Sequence, residues 1–412
     1  MNQRRRTKLK EFNGESFFSL LKSWPKDMAL LALGGNGSDQ KLIALDFFVL
    51  DRCEFMAQEL DGEYLQGEGS LNTGYVSCLA YEEGQASRSR FFRITKALIF
   101  ENDSCFLTEE EGDWSLEQSI SLEQLFQFLQ GDPGQGVSPK WEPKWSRDQY
   151  LSAVASCQED IRNGRYYQIN LLQYYRLLNQ REDIDWFKLF KRYSGPLAAW
   201  FRIKDLELIS LSPERFFKVV AHGQGARVIS EPIKGTSPVF DDYEENEKSK
   251  GFLLASKKDH AELHMIVDLI RNDLNRISRP LSVRVLDPGS LHSFANVHHL
   301  IARIEADLKL GVCIEDILQM MAPGGSITGA PKLEVMKAIR EYEGCPRDFY
   351  MGNICFFDPK TRYFDSSILI RTIVLSQNGK FQFAAGSGLT INSVAESEWE
   401  EIQAKSKVVL DK

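Results

Sequence analysis

Two pairs of carboxylates share one spacing. Asp259 and Glu262 stand three residues apart in KKDHAELHMIVDLIRND, and Glu398 and Glu401 three apart in ESEWEEIQAK. If both stretches are helical, that spacing keeps each pair on one helical face. Four carboxylates brought together require a hard cation with oxygen ligands, and Mg²⁺ suits such a set. Each pair alone has a plainer reading. Ser256-x-x-Asp259 and Ser393-x-x-Glu396 are capping-box patterns, and acids in a first turn complement the helix dipole. Lys234, in a Pro/Gly-flanked turn reading EPIKGT, could serve as a nucleophile if desolvated, although most lysines near turns are simply solvated. Gly386-Ser387-Gly388 follows the apolar FQFAA, and its backbone N–H groups could form a nest for a carboxylate or an ordinary strand end. Arg371, inside an apolar stretch read as one strand, SSILIRTIVL, needs a partner, and a carboxylate held bidentately is a natural one. Lys405 is as readily an i,i+4 partner of Glu401 as an anion ligand. His298-His299 is either packed core or an acid/base. PGGSITGAPK, Pro323–Lys332, has the composition of a Gly-rich anion loop entering a helix.

The elements that must position these groups are legible in outline. Short strands and loops fill the chain from Phe12 to about Phe128, with a helix expected near Leu122–Leu129. The Pro/Gly-rich stretch Gly131–Trp145 is the best boundary, dividing residues 1–140 from 141–412. Beyond it, Ser146–Asn163 reads as an amphipathic helix with Leu151, Val154 and Ile161 inward. YYQINLLQYYRL, LAAWFRI and LELISLSPERFFKVV then read as strands. Helices are expected at about Lys257–Arg276, Ile314–Met321, Lys332–Glu341 and Val394–Val408, with MGNICFF, SSILIRTIVL and KFQFAAGSGLT as strands between them. Strands that neighbour one another without a strand–helix rhythm favour α+β with antiparallel sheets over a doubly wound fold. No GxGxxG or GxxxxGK[ST] follows a strand, so a nucleotide cradle is not indicated.

Composition narrows the function. With 412 residues, 43% hydrophobic, and a net charge of −8, the chain has ample core material and lacks the basic excess of a nucleic-acid binder. No run reaches the ~20 apolar residues needed to span a bilayer. The basic opening MNQRRRTKLK has no apolar segment behind it and is expected to be a frayed tail. Seven scattered cysteines with no CxxC spacing fit reduced thiols in a cytoplasmic protein.

In order along the chain, SPERF, PIKGT, AELHMIVDLIRNDL, VHHL, GGSITGAPK, YMGNICFF, LIRT, GSGLTINS and ESEWEEIQAK resemble the chorismate-utilising enzymes, from about Ser146 to Lys407. The resemblance implies two face-packed antiparallel β-sheets with outer helices, forming a single compact unit in which the boundary is only a seam. It implies Mg²⁺ bound by Glu262 and Glu401, with Asp259 and Glu398 close by, and chorismate as substrate. Tyr350, Arg371, Lys405 and the Gly386, Ser387 and Gly388 backbone would meet the substrate's carboxylates, and Gly235 and Thr236 would line its ring.

Two positions discriminate within the family. Gln168 stands where water-adding members have a lysine, and so resembles the ammonia-using members. Lys234 stands where anthranilate-forming members have alanine, and marks those making 4-amino-4-deoxychorismate for p-aminobenzoate and folate. Lys234 would then attack C2 while the 4-hydroxyl leaves, Glu214 would be the general acid, and ammonia would enter at C4 and expel the lysine; His299 would stand near the reacting ring. No cysteine lies in a Gly-x-Cys-x-Gly setting, so a separate glutamine amidotransferase subunit would supply ammonia. The family's aspartate in the GSGLTINS segment is Asn392 here, and FFSLLKSW replaces the tryptophan-feedback segment of anthranilate-forming members. The alternatives are an anthranilate-forming enzyme with an unusual loop lysine and a non-catalytic paralogue that binds chorismate or tryptophan.

Overall fold

The strand Arg90–Glu101 is where the sheet divides. Along one edge it pairs with Gln40–Val49; its other edge is shared between Gly74–Leu79 and Ser104–Glu110. From this strand two antiparallel arms run out. The first continues through Leu30–Leu33, Ala199–Ile203, Leu206–Ser210, Thr372–Ser376 and Phe383–Leu389 to Gln168–Leu177. The second runs through Asn353–Asp358, Tyr363–Ile368, Arg215–His222 and Gly225–Ser230 to Val297–Asp307, which also carries Ile233–Pro238 and Arg284–Ser293. Early strands are therefore hydrogen-bonded directly to late ones. This computed structural model describes residues 4–10, 12, 15–24, 28–34, 40–49, 71, 74–81, 89–101, 104–110, 120, 121, 123, 124, 136–203, 206–293, 297–376 and 382–410.

The strand Gln168–Leu177 shows why the runs near the centre read as continuously apolar. Leu172 and Tyr174 enter one core, which also takes Leu263, Val267 and Leu274 from the helix Lys257–Ile277. Ile169, Leu171 and Tyr175 enter the other, roofed by Arg147–Arg162, Lys332–Glu343 and Ala395–Leu410 through Val154, Val335 and Ile402. A strand buried on both faces has no polar side to alternate with. The architecture is α+β, two antiparallel arms with outer helices.

Several expectations need correction. The basic opening is an edge strand, Arg4–Leu9, with Arg4 and Arg5 opposite Glu110 and Glu109. Ladder pairing along its length to Ser104–Glu110, with Arg6 bridging Glu101 at 2.5 Å, orders a segment that composition alone would leave frayed. In the first helix after the boundary, Ser146 caps with a full capping box, but Tyr150 and Cys157 are buried beside Val154, while Leu151 and Ile161 are half-buried. LELISLSPERFFKVV is two strands, Leu206–Ser210 and Arg215–His222. SSILIRTIVL is also two, Tyr363–Ile368 and Thr372–Ser376, because Arg371 between them has φ +49°, a left-handed conformation that no strand continues through. The helix expected near Leu122–Leu129 and residues 131–135 of the boundary lie largely outside the described residues. Six cysteines, Cys78, Cys105, Cys157, Cys313, Cys345 and Cys355, are free thiols, and no described helix is long and apolar enough to cross a membrane.

Candidate active site

Lys234 is not in a tight turn: it lies in the strand Ile233–Pro238, one residue before a bulge. Lys234 pairs with Leu300 and Thr236 with His299, leaving Gly235 as the extra residue. A bulge re-aims the side chains beside it and is common next to active sites. Only glycine serves there: Gly235 has φ +71°, and an added Cβ would lie 2.6 Å from Leu253 and 3.0 Å from Asp259. The Gly235 carbonyl accepts a hydrogen bond from His299 Nδ1 at 3.1 Å, and Thr236 Oγ1 lies 3.1 Å from the same nitrogen. Because a carbonyl can only accept, Nδ1 carries the proton and Nε2 is the acceptor nitrogen of the neutral ring. Burial lowers the proton affinity of His299, which favours that neutral form. His298, by contrast, is committed to Ser293 and Asn246, each at 2.8 Å.

Around Lys234 and Lys258, Glu262 and Glu398 approach from two helices, although among the described residues no three acidic or metal-ligating side chains are grouped closely enough to hold an ion. Lys234 Nζ lies 3.8 Å from Glu262 Oε2. Lys258 Nζ lies 3.1 Å from Glu398 Oε1 and 3.9 Å from Glu262 Oε1, so Lys257–Ile277 and Ala395–Leu410 meet across a lysine. Burial raises the proton affinity of Glu262; Lys234 and Lys258 pull it back, and Glu398 and Glu401 push it up. Glu401 is only partly buried, and Lys405, Lys258 and Lys234 outweigh the effect of that burial and hold its carboxyl below the usual range. Asp259 packs against Gly235, and its backbone N–H is capped by Ser256 at 3.2 Å. In the other predicted capping box, Ser393 Oγ instead accepts from the Thr390 N–H at 3.1 Å. Oε1 of Glu262 and Oε2 of Glu398 are buried without a hydrogen-bond partner. Buried orphan carboxylate oxygens are costly unless something charged completes them, and hard oxygen donors of this kind fit Mg²⁺.

Glu214 approaches the same group from the turn after Leu206–Ser210. Burial raises its proton affinity, opposed by Lys234, Lys405, a hydrogen bond from Ser326 and Arg371. Arg371, half-buried, faces Glu214 and stands in the left-handed region, a conformation costing roughly 1–3 kcal/mol. Tyr350 sits on the adjoining loop, which is tied to Leu369 through Met351 N–H at 3.0 Å and Gly352 C=O at 2.8 Å. It is buried edge-on to Tyr174, with Asp348 and Cys345 as its charged and thiol neighbours.

The glycine strand closes the opposite wall. A Cβ on Gly388 would lie 2.8 Å from Gln168 Nε2 and 3.9 Å from Lys234 Nζ, and one on Gly386 would lie 3.0 Å from Asn170 Oδ1. The first arm's edge thus meets the second arm's lysine here. Ser387 turns the other way: its hydroxyl is 3.1 Å from Tyr150 and fully buried, so only its backbone can face a ligand. Lys405 does both things foreseen for it, bridging Glu401 at 2.6 Å and donating to the Gly386 carbonyl at 2.9 Å. The Gly-rich segment does not form an open anion loop. Its Thr328 C=O accepts from Asn170 N–H, Gly329–Ala330 pair with Ile169 and Gln168, and Lys332 binds Asp273 at 3.1 Å.

Sequence reasoning missed Lys258 and Ser326. Lys258 is i,i+4 to Glu262 and could have been found from that spacing; Ser326 reaches Glu214 only through tertiary folding. Asn170, two residues from Gln168 on the same strand face, also places an orphan oxygen beside the glycines.

A fold of two antiparallel arms, with carboxylates, lysines and a glycine strand converging between them, defines a class. Residues 52–411 match the family model for chorismate binding enzyme, and the chain belongs to that family. Aminodeoxychorismate synthase component 1 from Salmonella typhimurium is 34% identical over 275 residues, 66% of this chain and 59% of that protein. The namesake from Escherichia coli K12 is 35% identical with the same coverage, and anthranilate synthase component 1 from Thermus thermophilus is 31% identical over 68% of this chain and 60% of its own. The matched stretch thus spans about 60% of these curated relatives. Among solved structures, anthranilate synthase component I from Streptococcus pneumoniae superposes with TM-score 0.70 at 22% identity, covering 94% of this chain and 93% of that one. The menaquinone-specific isochorismate synthase from Escherichia coli gives 0.74 at 15% identity, covering 100% and 95%. These likenesses show the fold.

Proposed function

We propose that the protein is the synthase component that aminates chorismate to 4-amino-4-deoxychorismate, with ammonia delivered by a glutamine amidotransferase partner. The observation that carries this reading is Lys234: its amine lies against Gly388 on one side and 3.8 Å from Glu262 on the other, beside a half-buried Glu214. Similarity to relatives named aminodeoxychorismate synthase supports it; the name "component 1" supports the partner. Glu262, Glu398, Glu401 and Asp259 would hold Mg²⁺, which supplies neutralisation of a substrate carboxylate.

This chain's residues would do the rest. Arg371, Lys405 and the Gly386–Gly388 backbone orient chorismate's carboxylates, Gly235 and Thr236 line the ring, and Tyr350 shapes the Arg371 wall. The amine nitrogen of Lys234 forms a bond to C2 while the C4–O bond breaks. Glu214, whose proton affinity burial raises, gives a proton to the departing hydroxyl, which leaves as water. Ammonia then bonds to C4, the C2–N bond to Lys234 breaks, and the double bond returns. His299, whose neutral form burial favours and whose Nδ1–H is held by the Gly235 carbonyl, would serve as a proton acceptor through Nε2. The segment near residue 140 acts as a seam within one unit, and a cytoplasmic setting fits the free thiols.

The test is to incubate the purified chain with chorismate, Mg²⁺ and ammonium and identify the product by mass. Aminodeoxychorismate supports the reading; anthranilate with pyruvate, or bound but unconverted chorismate, overturns it.

A further inference from the structure

The carboxylate cluster already holds a cation belonging to the chain. Lys258 stands one residue before Asp259 and reaches back across the helix junction, 3.1 Å from Glu398 Oε1 and 3.9 Å from Glu262 Oε1. The two partners differ in freedom: Glu398 is 1% exposed and fixed, whereas Lys258 is 49% exposed and has a direct path to water. Each glutamate retains one buried oxygen without a hydrogen bond. Among the described residues no three His, Cys, Asp or Glu side chains are grouped as a ready metal cage. The carboxylates are thus gathered on an ammonium group and not yet on one another. Without a cation between them, facing acidic helices would repel; with this one in place, an entering dication meets a like charge within about 4 Å of its ligands.

We infer that Lys258 is a built-in counter-ion: it holds Glu262 and Glu398 together before the metal arrives, and swings out to solvent when Mg²⁺ binds. The inference rests on the reading of these carboxylates as the Mg²⁺ site. It makes the free chain's affinity for the metal lower than the carboxylates alone would give, and it assigns Lys258 a positioning role with no contact to substrate.

The test is a titration of Mn²⁺ into the full chain without chorismate, with free ion read by electron paramagnetic resonance. Wild type, Lys258→Met, Lys258→Gln, Lys258→Arg and Glu398→Gln are compared, each checked for folding by its thermal melt. The expected result is one site in wild type, weakened at least tenfold in Glu398→Gln, tightened about tenfold in the two neutral Lys258 variants and unchanged in Lys258→Arg. If wild type binds no ion, or Glu398→Gln binds as wild type does, the metal reading fails and the inference with it. If Glu398→Gln loses the ion but neither neutral Lys258 variant binds more tightly, the metal site stands and the counter-ion inference is overturned.

Discussion

Two groups of buried charge lie close together in this molecule and are built on opposite terms. Glu343 and Arg347, 0% and 1% exposed, are 2.7 Å apart, and nearly every donor and acceptor they carry is used. Glu343 accepts from Leu172 N–H at 3.0 Å and from the Tyr174 hydroxyl at 2.7 Å, while Arg347 donates to the Ile327 and Asn170 carbonyls at 2.7 Å each. The pair takes over ladder positions along the open edge of Gln168–Leu177, between Gly329–Ala330 and Trp141–Pro143. A few residues away, Lys234, Lys258, Glu262 and Glu398 make contacts of 3.1–3.9 Å and leave two carboxylate oxygens unpartnered. A satisfied buried network rigidifies a scaffold, whereas an unsatisfied one keeps acceptor capacity for a further charge. The first group holds the strand that carries Gln168 and Asn170, and the second is the one proposed to take metal and substrate.

The comparison can be broken in several places. Lys234→Ala should lower kcat by at least about 10³-fold, as loss of a covalent nucleophile does, with a melting temperature close to wild type; near-normal turnover would remove the lysine from the chemistry. Arg347→Ala should act the other way, destabilising by about 3–5 kcal/mol because it strands a buried carboxylate, as read by denaturant unfolding. Replacing both partners by apolar residues of similar volume should recover only part of that loss, because Leu172 N–H and the Ile327 and Asn170 carbonyls lose their partners.

Glu214→Gln separates function from stability within one side chain. Burial raises its folded-state proton affinity, so the folded protein binds that proton more tightly than the unfolded chain. Stability is then greatest below the ordinary carboxylate range and falls as pH rises from there through the raised value. The glutamine variant removes that loss, so at neutral pH it should melt higher than wild type while turning over about 10²-fold more slowly. The smallest effect belongs to an exposed pair: Arg176→Ala breaks a bridge to Glu142 in which both side chains are about half exposed, and should cost less than about 1 kcal/mol.

How much of this was legible in sequence follows the same division. The helices carrying the carboxylates were readable because apolar periodicity and the Ser256 cap are local signals, and Ile314–Met321 was placed to the residue. The split at Arg371 was not, because its left-handed backbone goes with tertiary hydrogen bonds, from Leu211 N–H to the Arg371 carbonyl and between Leu369 and the Tyr350 loop. Lys234 was singled out by residue type, yet the bulge that aims it comes from register against His299 and Leu300, sixty-odd residues downstream. The Gly386–Gly388 backbone was legible as a candidate nest, but that the Ser387 side chain turns to Tyr150 was not, since it depends on which way the strand faces. The Glu343–Arg347 pair was invisible for a similar reason: i,i+4 spacing on a helix end says nothing of burial.

The central claim is that Lys234 bonds to the substrate. Its most direct test is the intact mass of the chain incubated with chorismate and Mg²⁺ in the absence of ammonia. A gain equal to chorismate less one water, mapped to Lys234 and lost in Lys234→Ala, is the predicted result. Product formed on adding ammonia, with no adduct at Lys234 under any trapping condition, would contradict it.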